Sequence, residues 1–188
     1  MKEFMKVFKG VAFAGIVLIL LLLSCSHNDE IPQSDLELRD TLIYKKDSNI
    51  PFTGREKSRI ENKIIEYDVV NGMKQGDFLL YYESGKMEIK GHLDHNKNVG
   101  HWQYFYESGQ VESEGLFVNN LPDGVWKWYN RSGTLREEGS YKNGQRFGTW
   151  RQYDEKGNIT KEKEFPGNDS TKVEEDYLEK LKNNNYKK

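Results

Sequence analysis

The sequence contains a single cysteine, Cys25, so no disulfide bond can form within one chain. It also lacks an excess of either charge, because 28 Lys and Arg residues oppose 30 Asp and Glu residues and leave a formal net charge of −2. A nucleic-acid partner requires a basic face that neutralises phosphates, so we expect none. Hydrophobic residues make up only 36 % of the 188 residues, which predicts a modest core in which rings replace part of the aliphatic packing.

Aromatic residues, at 13 % of the chain, are concentrated in a stretch that repeats. The phrase GVWKWYNRSGTLREEG begins at Gly124, and related phrases begin at Gly76, Gly100 and Gly148, each 24 residues from the next. A fixed period of this size is typical of repeat proteins, in which each unit buries its apolar residues against its neighbours. All four tryptophans lie in these units, and three of them occupy the third position: Trp102, Trp126 and Trp150.

Each unit has the pattern of a β-hairpin. Its first residues are rich in aromatics, as in a strand, and a polar pair closed by glycine follows at the tenth position. We expect this glycine to adopt a positive φ and to end the turn. The glycines concerned are Gly85, Gly109, Gly133 and Gly157. The sequence therefore predicts an all-β fold in which antiparallel hairpins lie side by side in one elongated sheet.

A second glycine, at the sixteenth position, falls inside the return strand of the hairpin, as at Gly115 and Gly139. Glycine leaves a bare spot on the sheet, and we expect the third-position ring of the same hairpin to cover it. Positions 3 and 6 are both aromatic but have opposite parity. Either both faces of the sheet carry rings, or a bulge turns one of the two.

The first 24 residues resemble a bacterial lipoprotein signal peptide. Three lysines among the first nine residues precede an apolar run from Gly10 to Leu23, which is too short to cross a bilayer core of about 30 Å as a simple helix. The sequence Leu-Leu-Ser-Cys that ends at Cys25 resembles the lipobox, which implies cleavage before Cys25 and its acylation. The resemblance implies a protein anchored by lipid to a membrane of the bacterial cell envelope, with the outer membrane favoured and surface exposure an open alternative.

The rest of the chain divides by composition. Residues 25–41 are predicted to be the lipidated cysteine and a flexible polar tether. Residues 166–188 are predicted to be a cap and tail, with a short amphipathic capping helix at about 172–183. Pro166 can end the last strand because proline has no N–H to donate. The hairpin repeats are predicted over 42–165, with a degenerate unit at 51–75 and clear units at 76–99, 100–123, 124–147 and 148–165.

The repeated motif Gly-x-Trp-x-x-Tyr-x-x-x-Gly, followed by aromatic-Lys-Asn-Gly, resembles the MORN repeat variant. The unit that begins at Gly124 and continues to Tyr141–Gly144 carries the resemblance best, and the likeness covers about residues 50–165. Such repeats occur in bacterial proteins catalogued as the YwqK-type antitoxin family. The resemblance implies an array of β-hairpins, and it allows an antitoxin-like function in which the protein neutralises a partner toxin.

The sequence shows no nucleophile–base pair, phosphate-binding loop or cofactor fingerprint, so we expect no enzymatic activity and no cofactor. The strongest metal-ligating candidates are His92, Asp94 and His95, with His101 nearby. His92 and Asp94 share the parity of one strand face, but His95 falls in the link between units, so we expect no metal site. A metal-dependent envelope enzyme is the alternative.

These observations favour a non-catalytic, membrane-anchored protein whose repeat array binds a protein or glycan partner. We expect the contacts to come from exposed rings on the sheet that the repeat pattern constrains least. Ring–ring packing within the sheet is the alternative role of these side chains, and an antitoxin-like protein is the alternative function. The candidate contact residues are Tyr82, Tyr104, Phe105, Tyr106 and Trp128.

Overall fold

Ten strands form one antiparallel sheet in chain order, and two more strands form a small separate hairpin. The computed structural model describes residues 31–166 and Glu179. The small hairpin consists of β1 (Leu36–Arg39) and β2 (Leu42–Lys45). The strands of the large sheet are β3 (Gly54–Ile60), β4 (Lys63–Val70), β5 (Met73–Tyr81), β6 (Met87–Asp94), β7 (Lys97–Phe105), β8 (Val111–Val118), β9 (Leu121–Tyr129), β10 (Leu135–Lys142), β11 (Gln145–Tyr153) and β12 (Ile159–Phe165). The predicted all-β array of antiparallel hairpins is confirmed.

Two kinds of turn alternate along the sheet. At the hairpin tips the tenth-position glycines have the predicted positive φ, for example 79° at Gly85, whose N–H donates to Tyr82 O at 2.9 Å. At the other end of the strands, two residues with positive φ join each hairpin to the next, for example Asn143 at 49° and Gly144 at 80°. Two-residue turns of this kind match the twist of antiparallel strands. Most residues at positions 19–24 of each unit extend the strands, so the link between hairpins is only two residues long.

The degenerate first unit is shorter at its hairpin tip. Gly54 pairs with Val69 across β3 and β4, as Gly76 pairs with Leu93 across β5 and β6. The regular ladder of the first hairpin continues to Ile60 and Lys63, which are separated by only two residues. The spacing of 22 residues between Gly54 and Gly76, instead of 24, is therefore explained by a tighter tip and leaves the pairing between units intact.

The β1–β2 hairpin packs on the first strands of the sheet. Ile43 is buried in one cluster with Ile65, Tyr67 and Val69, and its N–H donates to Gly72 O at 2.8 Å. The polar segment 25–41 was predicted to be a flexible tether, but residues 36–39 form β1, so this boundary is wrong. Leu36 packs against the cluster, whereas Leu38 is 70 % exposed, so the strand has no alternating buried pattern that the sequence could have revealed.

The last strand ends at Phe165, directly before Pro166, as predicted. Within the described residues no helix is long and apolar enough to cross a membrane. The predicted signal peptide, Cys25 and the capping helix at about 172–183 lie outside the described residues, apart from Glu179. These three features stay predictions.

Candidate functional site

The third-position rings cover the sixteenth-position glycines, but each ring belongs to the repeat that follows. A Cβ added at Gly91 would overlap the indole of Trp102, one at Gly115 the indole of Trp126, and one at Gly139 the indole of Trp150. The predicted pairing within one hairpin is therefore wrong, although the ring-over-glycine contact itself is confirmed. Each of these contacts joins two consecutive units.

A bulge at each boundary between units places the ring over the glycine. Glu114 pairs with Lys127 and Leu116 with Asp123, so Gly115 alone faces the three residues 124–126 of the next strand. Gly124, the first residue of its unit, has a φ of 72°, which favours glycine. The extra residues turn the strand so that the Trp126 indole lies back over Gly115, and its N–H donates to Leu116 O at 3.1 Å.

The first boundary uses a different pair in the same place. Tyr67 stands where the other units have glycine, and it pairs with Phe78 in place of tryptophan. In the last unit the corresponding residue is Lys163, and no further repeat follows β12 in the described sheet. Glycine therefore occurs at this position wherever the next unit has a tryptophan at its third position. This explains why the last unit has Lys163 here instead of glycine.

We call the side of the sheet that carries these rings the ring face. Along it the rings contact one another from unit to unit: the centroids of Trp102 and Phe117 lie 5.7 Å apart, those of Phe117 and Trp126 lie 5.2 Å apart, and those of Tyr141 and Trp150 lie 5.1 Å apart. Edge-to-face contacts of this kind stabilise aromatic clusters beyond the area that they bury. The three indoles are only 4–6 % exposed, so they form the core of the array and are not available to a partner.

A second row of side chains on the ring face is less buried, apart from Ser113 at 8 % exposed, and changes character across the sheet. Tyr104 and Trp128 are half-buried, and Ser113 lies on the strand between them as the direct partner of both. With strands about 4.8 Å apart, the two rings flank the serine at a separation of about 10 Å. The row runs from apolar through aromatic to polar: Leu80, Ile89, Tyr104, Ser113, Trp128, Glu137, Gln152 and Lys161.

This row combines ring surface with hydrogen-bonding groups. Burial raises the pKa of the Tyr104 hydroxyl, which therefore remains a hydrogen-bond donor at neutral pH. Trp128 stacks between Trp126 and Trp150, with centroids 5.9 and 5.4 Å away, so its orientation is fixed. Glu137 is its direct neighbour on β10. We call the set Tyr104, Ser113, Trp128, Glu137 and Gln152 the mixed row.

The five predicted contact residues do not lie together. Tyr104 and Trp128 share the mixed row, whereas Phe105 lies on the opposite face. Tyr82 and Tyr106 are at hairpin tips, where their hydroxyls donate to the next hairpin, to Phe105 O at 2.6 Å and to Tyr129 O at 2.8 Å. These two bonds give Tyr82 and Tyr106 a structural role.

Sequence analysis missed Ser113, Glu137 and Gln152. When the four units are aligned, the columns at positions 5 and 14 vary between aliphatic, aromatic and polar residues, while position 3 stays aromatic. That variation is the available signal, because a position that only holds the array together has no reason to change so much.

The opposite side of the sheet, which we call the polar face, carries the sixth-position rings, so both faces bear aromatics. Tyr129 O–H donates to Glu114 at 2.9 Å, and Tyr153 O–H donates to Glu138 at 2.6 Å, each across a unit boundary. Burial, together with the bond to Glu138, raises the pKa of Tyr153 to about 12. Phe105 replaces tyrosine in the one clear unit that follows a lysine at the glutamate position, Lys90.

The candidate metal ligands are divided among separate contacts with carboxylates on and beside the polar face. His92 Nδ1 lies 3.3 Å from Asp77, and His95 Nδ1 lies 2.6 Å from its neighbour Asp94. His101 Nε2 lies 3.5 Å from Glu114. Among the described residues no group of three His, Cys, Asp or Glu side chains is placed to hold a metal ion. Burial lowers the pKa of His101, and the carboxylate of Glu114 opposes this effect.

Comparison with known proteins identifies the repeated unit. Four stretches of the chain match the family model of the MORN repeat variant. They are residues 74–95, 98–119, 122–143 and 148–165, which correspond to the hairpins from β5 to β12. The family resemblance inferred from the sequence motif is confirmed for these repeats. The matched stretches begin shortly before the first glycine of a unit or at it, and each contains both strands of one hairpin.

No curated protein matches the chain. One similar solved structure is the crystal structure of accessory secretory protein 1, 2 and 3 in Streptococcus pneumoniae, with 17 % sequence identity and a TM-score of 0.32. The similarity covers 71 % of this chain but only 24 % of the other one. The four stretches that match the MORN repeat variant indicate a repeat protein suited to binding.

Proposed function

We propose that this protein is a non-catalytic, lipid-anchored binding protein of the bacterial cell envelope, and that its MORN-variant array contacts a protein or glycan through the mixed row. The observation that supports the site is the placement of Tyr104 and Trp128 on either side of Ser113, next to Glu137. The two half-buried rings supply apolar contact area at little cost in side-chain entropy, because their neighbours already hold them in place. The hydroxyl, carboxylate and amide supply direction and specificity.

The character of the row suits a partner that presents both apolar and polar groups. Polypeptides and sugar rings both have apolar faces bordered by hydrogen-bonding groups. Tyrosine and tryptophan are enriched where proteins bind each other, and buried polar partners provide discrimination. The separate pairing of the histidines and carboxylates on the polar face supports a binding role more than a hydrolytic one.

The site can be tested by placing a photo-reactive amino acid in the full chain in cells. Residues 104 and 128 point to the ring face, and their chain neighbours Gln103 and Lys127 point to the polar face of the same strands. We expect a cross-linked product of defined mass from positions 104 and 128 and none from 103 and 127. Cross-linking from the polar-face positions alone would place the binding surface on the other side and contradict the proposed site.

The class of partner follows from the treatment of the product. A cleavable photo-reactive amino acid allows the captured molecule to be separated from this protein before digestion. A captured protein is then degraded by protease, whereas a captured glycan is degraded by glycan-degrading enzymes. Glu137→Gln should weaken either cross-link if the carboxylate accepts hydrogen bonds from the partner. Absence of any product from both ring-face positions, with the protein folded and present in the membrane fraction, would contradict the binding function.

The anchor is tested separately. Metabolic labelling with a fatty acid, followed by mass spectrometry of the N-terminal peptide, should show cleavage before Cys25 and acyl groups on that residue. Cys25→Ser should abolish labelling, because the hydroxyl cannot carry the thioether. An unmodified N-terminus that still begins at Met1 in cells would contradict the lipoprotein assignment.

A further inference from the structure

A row of side chains crosses all ten strands on the polar face, and the eight charged residues among its ten members alternate in sign and give the row complementary ends. Direct cross-strand partners link Lys127 with Glu114 and Glu138, and Arg151 with Glu138 and Glu162. At the start of the sheet, Lys57 is paired with Glu66. The complete row is Lys57, Glu66, Leu79, Lys90, Gln103, Glu114, Lys127, Glu138, Arg151 and Glu162. It begins with a cation on β3 and ends with an anion on β12, so a second copy would continue the alternation.

The directions of the end strands also suit such a continuation. Each of the ten strands runs antiparallel to its neighbours, so β3 and β12 run in opposite directions. The β3 of a second copy, laid along the outer edge of β12, would therefore pair antiparallel, as the boundaries between repeats do. Within the described residues nothing pairs with the outer edge of β12, and the assembly requires that the helix predicted at about 172–183 leaves this edge uncovered.

The register at the internal boundaries specifies which residues would meet. Position 15 of one unit pairs with position 4 of the next, as Glu114 does with Lys127 and Glu138 with Arg151. The same positions on β12 and β3 are Glu162 and Lys57. An acidic residue opposite a basic residue is therefore repeated at two internal boundaries and again at the junction.

The ring-face positions at the junction are complementary as well. Position 16 of one unit lies under position 3 of the next, as Gly115 lies under Trp126. On β12 and β3 these positions are Lys163 and Glu56, a second pair of opposite charges. Glu56 is only 7 % exposed, and its Oε1 atom has no hydrogen-bond partner within the described part of the chain. A lysine from a second copy would give this carboxylate the cation that it lacks.

Pairing of β12 with its own symmetry mate is disfavoured by the same pattern. Residues directly opposite each other in an antiparallel pair must share a face of the sheet. If Glu162 opposed its own copy, Lys161 would oppose Lys163, and if Lys163 opposed its own copy, Glu162 would oppose Glu164. Like charges directly opposite each other destabilise a sheet, so the edge discriminates against a two-fold dimer.

The outer edge of β3 is partly occupied at its far end. Arg59 N–H donates to Pro32 O at 2.9 Å, and Gln33 forms an isolated bridge with Arg59. The contact would therefore involve the segment from Arg55 to Ser58 and not the whole strand. We propose that a second copy of this chain adds its β3 to β12 in the register Glu162 opposite Lys57, so that the protein assembles head to tail.

Cysteine cross-linking in the full chain tests this register in cells. Directly opposite residues of an antiparallel pair have Cα atoms about 4.5–5.5 Å apart, which a disulfide can bridge. The variant with both Lys57→Cys and Glu162→Cys should give a ladder of dimers, trimers and higher species on a non-reducing gel. A mixture of two differently tagged single variants should give only a dimer that carries both tags, because a head-to-tail contact uses two different surfaces.

The matched control pairs Lys57→Cys with Glu155→Cys, which places the second thiol at the exposed tip of the β11–β12 hairpin. This variant should give no ladder. The single variants still contain Cys25, so they report any disulfide that the introduced cysteine forms with Cys25. Cross-linking of Glu162→Cys to itself would show a two-fold contact and overturn the proposal. Absence of any ladder in the double variant, with normal amounts of folded protein, would also overturn it.

Charge exchange provides a second test that needs no disulfide. A chemical cross-linker that does not react with amines should capture oligomers of the unchanged protein. Glu162→Lys should abolish these oligomers, and the double variant Glu162→Lys with Lys57→Glu should restore them. Because each exchange also changes a pair within the chain, thermal unfolding of the variants is measured alongside. Restoration of assembly in the double variant separates a contact between copies from a loss of stability, and failure to restore it in a stable double variant contradicts the register.

Discussion

The indole of Trp126 lies over Gly115 of the preceding repeat, and this contact is the unit from which the array is built. Its N–H donates to Leu116 O at 3.1 Å, so the ring is held both by hydrogen bonding and by the absence of a side chain beneath it. The same arrangement joins Gly139 to Trp150, with an indole bond to Ser140 O at 3.1 Å. Consecutive hairpins are therefore joined by a buried ring as well as by strand pairing.

We expect Gly115→Ala to destabilise the protein by about 1–3 kcal/mol, because the new methyl group would overlap a rigid ring held on all sides. Trp126→Phe should destabilise it too, since a smaller ring leaves Gly115 uncovered. The two changes together should cost less than their sum, by about 1 kcal/mol, because Tyr67 and Phe78 show that a larger residue with a smaller ring fits this place. Urea unfolding of the four proteins in the cycle measures the coupling, and strict additivity would contradict it.

Gly109 provides a contrast, because its requirement is conformational and not steric. A Cβ there would meet nothing within 4 Å, but the residue has a φ of 95°. Gly109→Ala should therefore destabilise the protein by about 1 kcal/mol, and Gly109→Asn should cost less, since asparagine tolerates this backbone region better. Thermal unfolding distinguishes the two. Equal losses for alanine and asparagine would contradict a cost that comes from the left-handed backbone conformation at this residue.

The array could be predicted because its period and its turns are local features. Rings at a fixed position indicate a strand, and glycine at the tenth position indicates the hairpin tip. Alignment of the repeated units was therefore sufficient to predict the hairpins. The tighter tip of the first hairpin explains the one irregular spacing. The folded state of residues 36–39 could not be predicted in the same way, because nothing in this polar segment shows that Leu36 packs against the cluster around Ile43.

The choice of glycine under each ring could not be predicted from parity. Trp102 is the direct cross-strand partner of Gly115, while its indole lies over Gly91 on the other side. Both glycines neighbour the same ring on the same face, and only the bulge opposite Gly91 decides between them. Glycine at the first position of each unit, inside a strand, was the available signal for that bulge.

The candidate site was predicted in part for a similar reason. Tyr104 and Trp128 were identified as rings outside the strict pattern, but Ser113 and Glu137 join them only through the pairing of three strands. That pairing depends on register, which single units do not reveal. The repeat pattern does not identify the class of partner, because the side chains of the mixed row fit both a protein and a glycan.

The hydroxyl of Tyr153 should stabilise the boundary between the last two units. It donates to Glu138 at 2.6 Å, and a hydrogen bond of this kind contributes about 1 kcal/mol when it is partly exposed. Tyr153→Phe should lower the free energy of unfolding by this amount. Phe105→Tyr should give no gain, because Lys90 occupies the position of the glutamate. A gain from Phe105→Tyr as large as the loss from Tyr153→Phe would show that the carboxylate is not the cause.

Stability should decrease on acidification through His101 in particular. Burial lowers the pKa of this histidine below its usual value, although Glu114 acts in the opposite direction. The unfolded chain then binds a proton at a higher pH than the folded protein does, so the stabilisation is present above about pH 6.5 and is lost as the pH falls through the folded pKa.

Urea unfolding at several values between pH 7.5 and 5 should show a smaller loss for His101→Gln than for the unchanged protein. His95→Gln is the matched control for the loss of an imidazole, because the His95 side chain is 59 % exposed in a turn. Equal slopes for His101→Gln and the unchanged protein would mean that acid acts through the carboxylates alone.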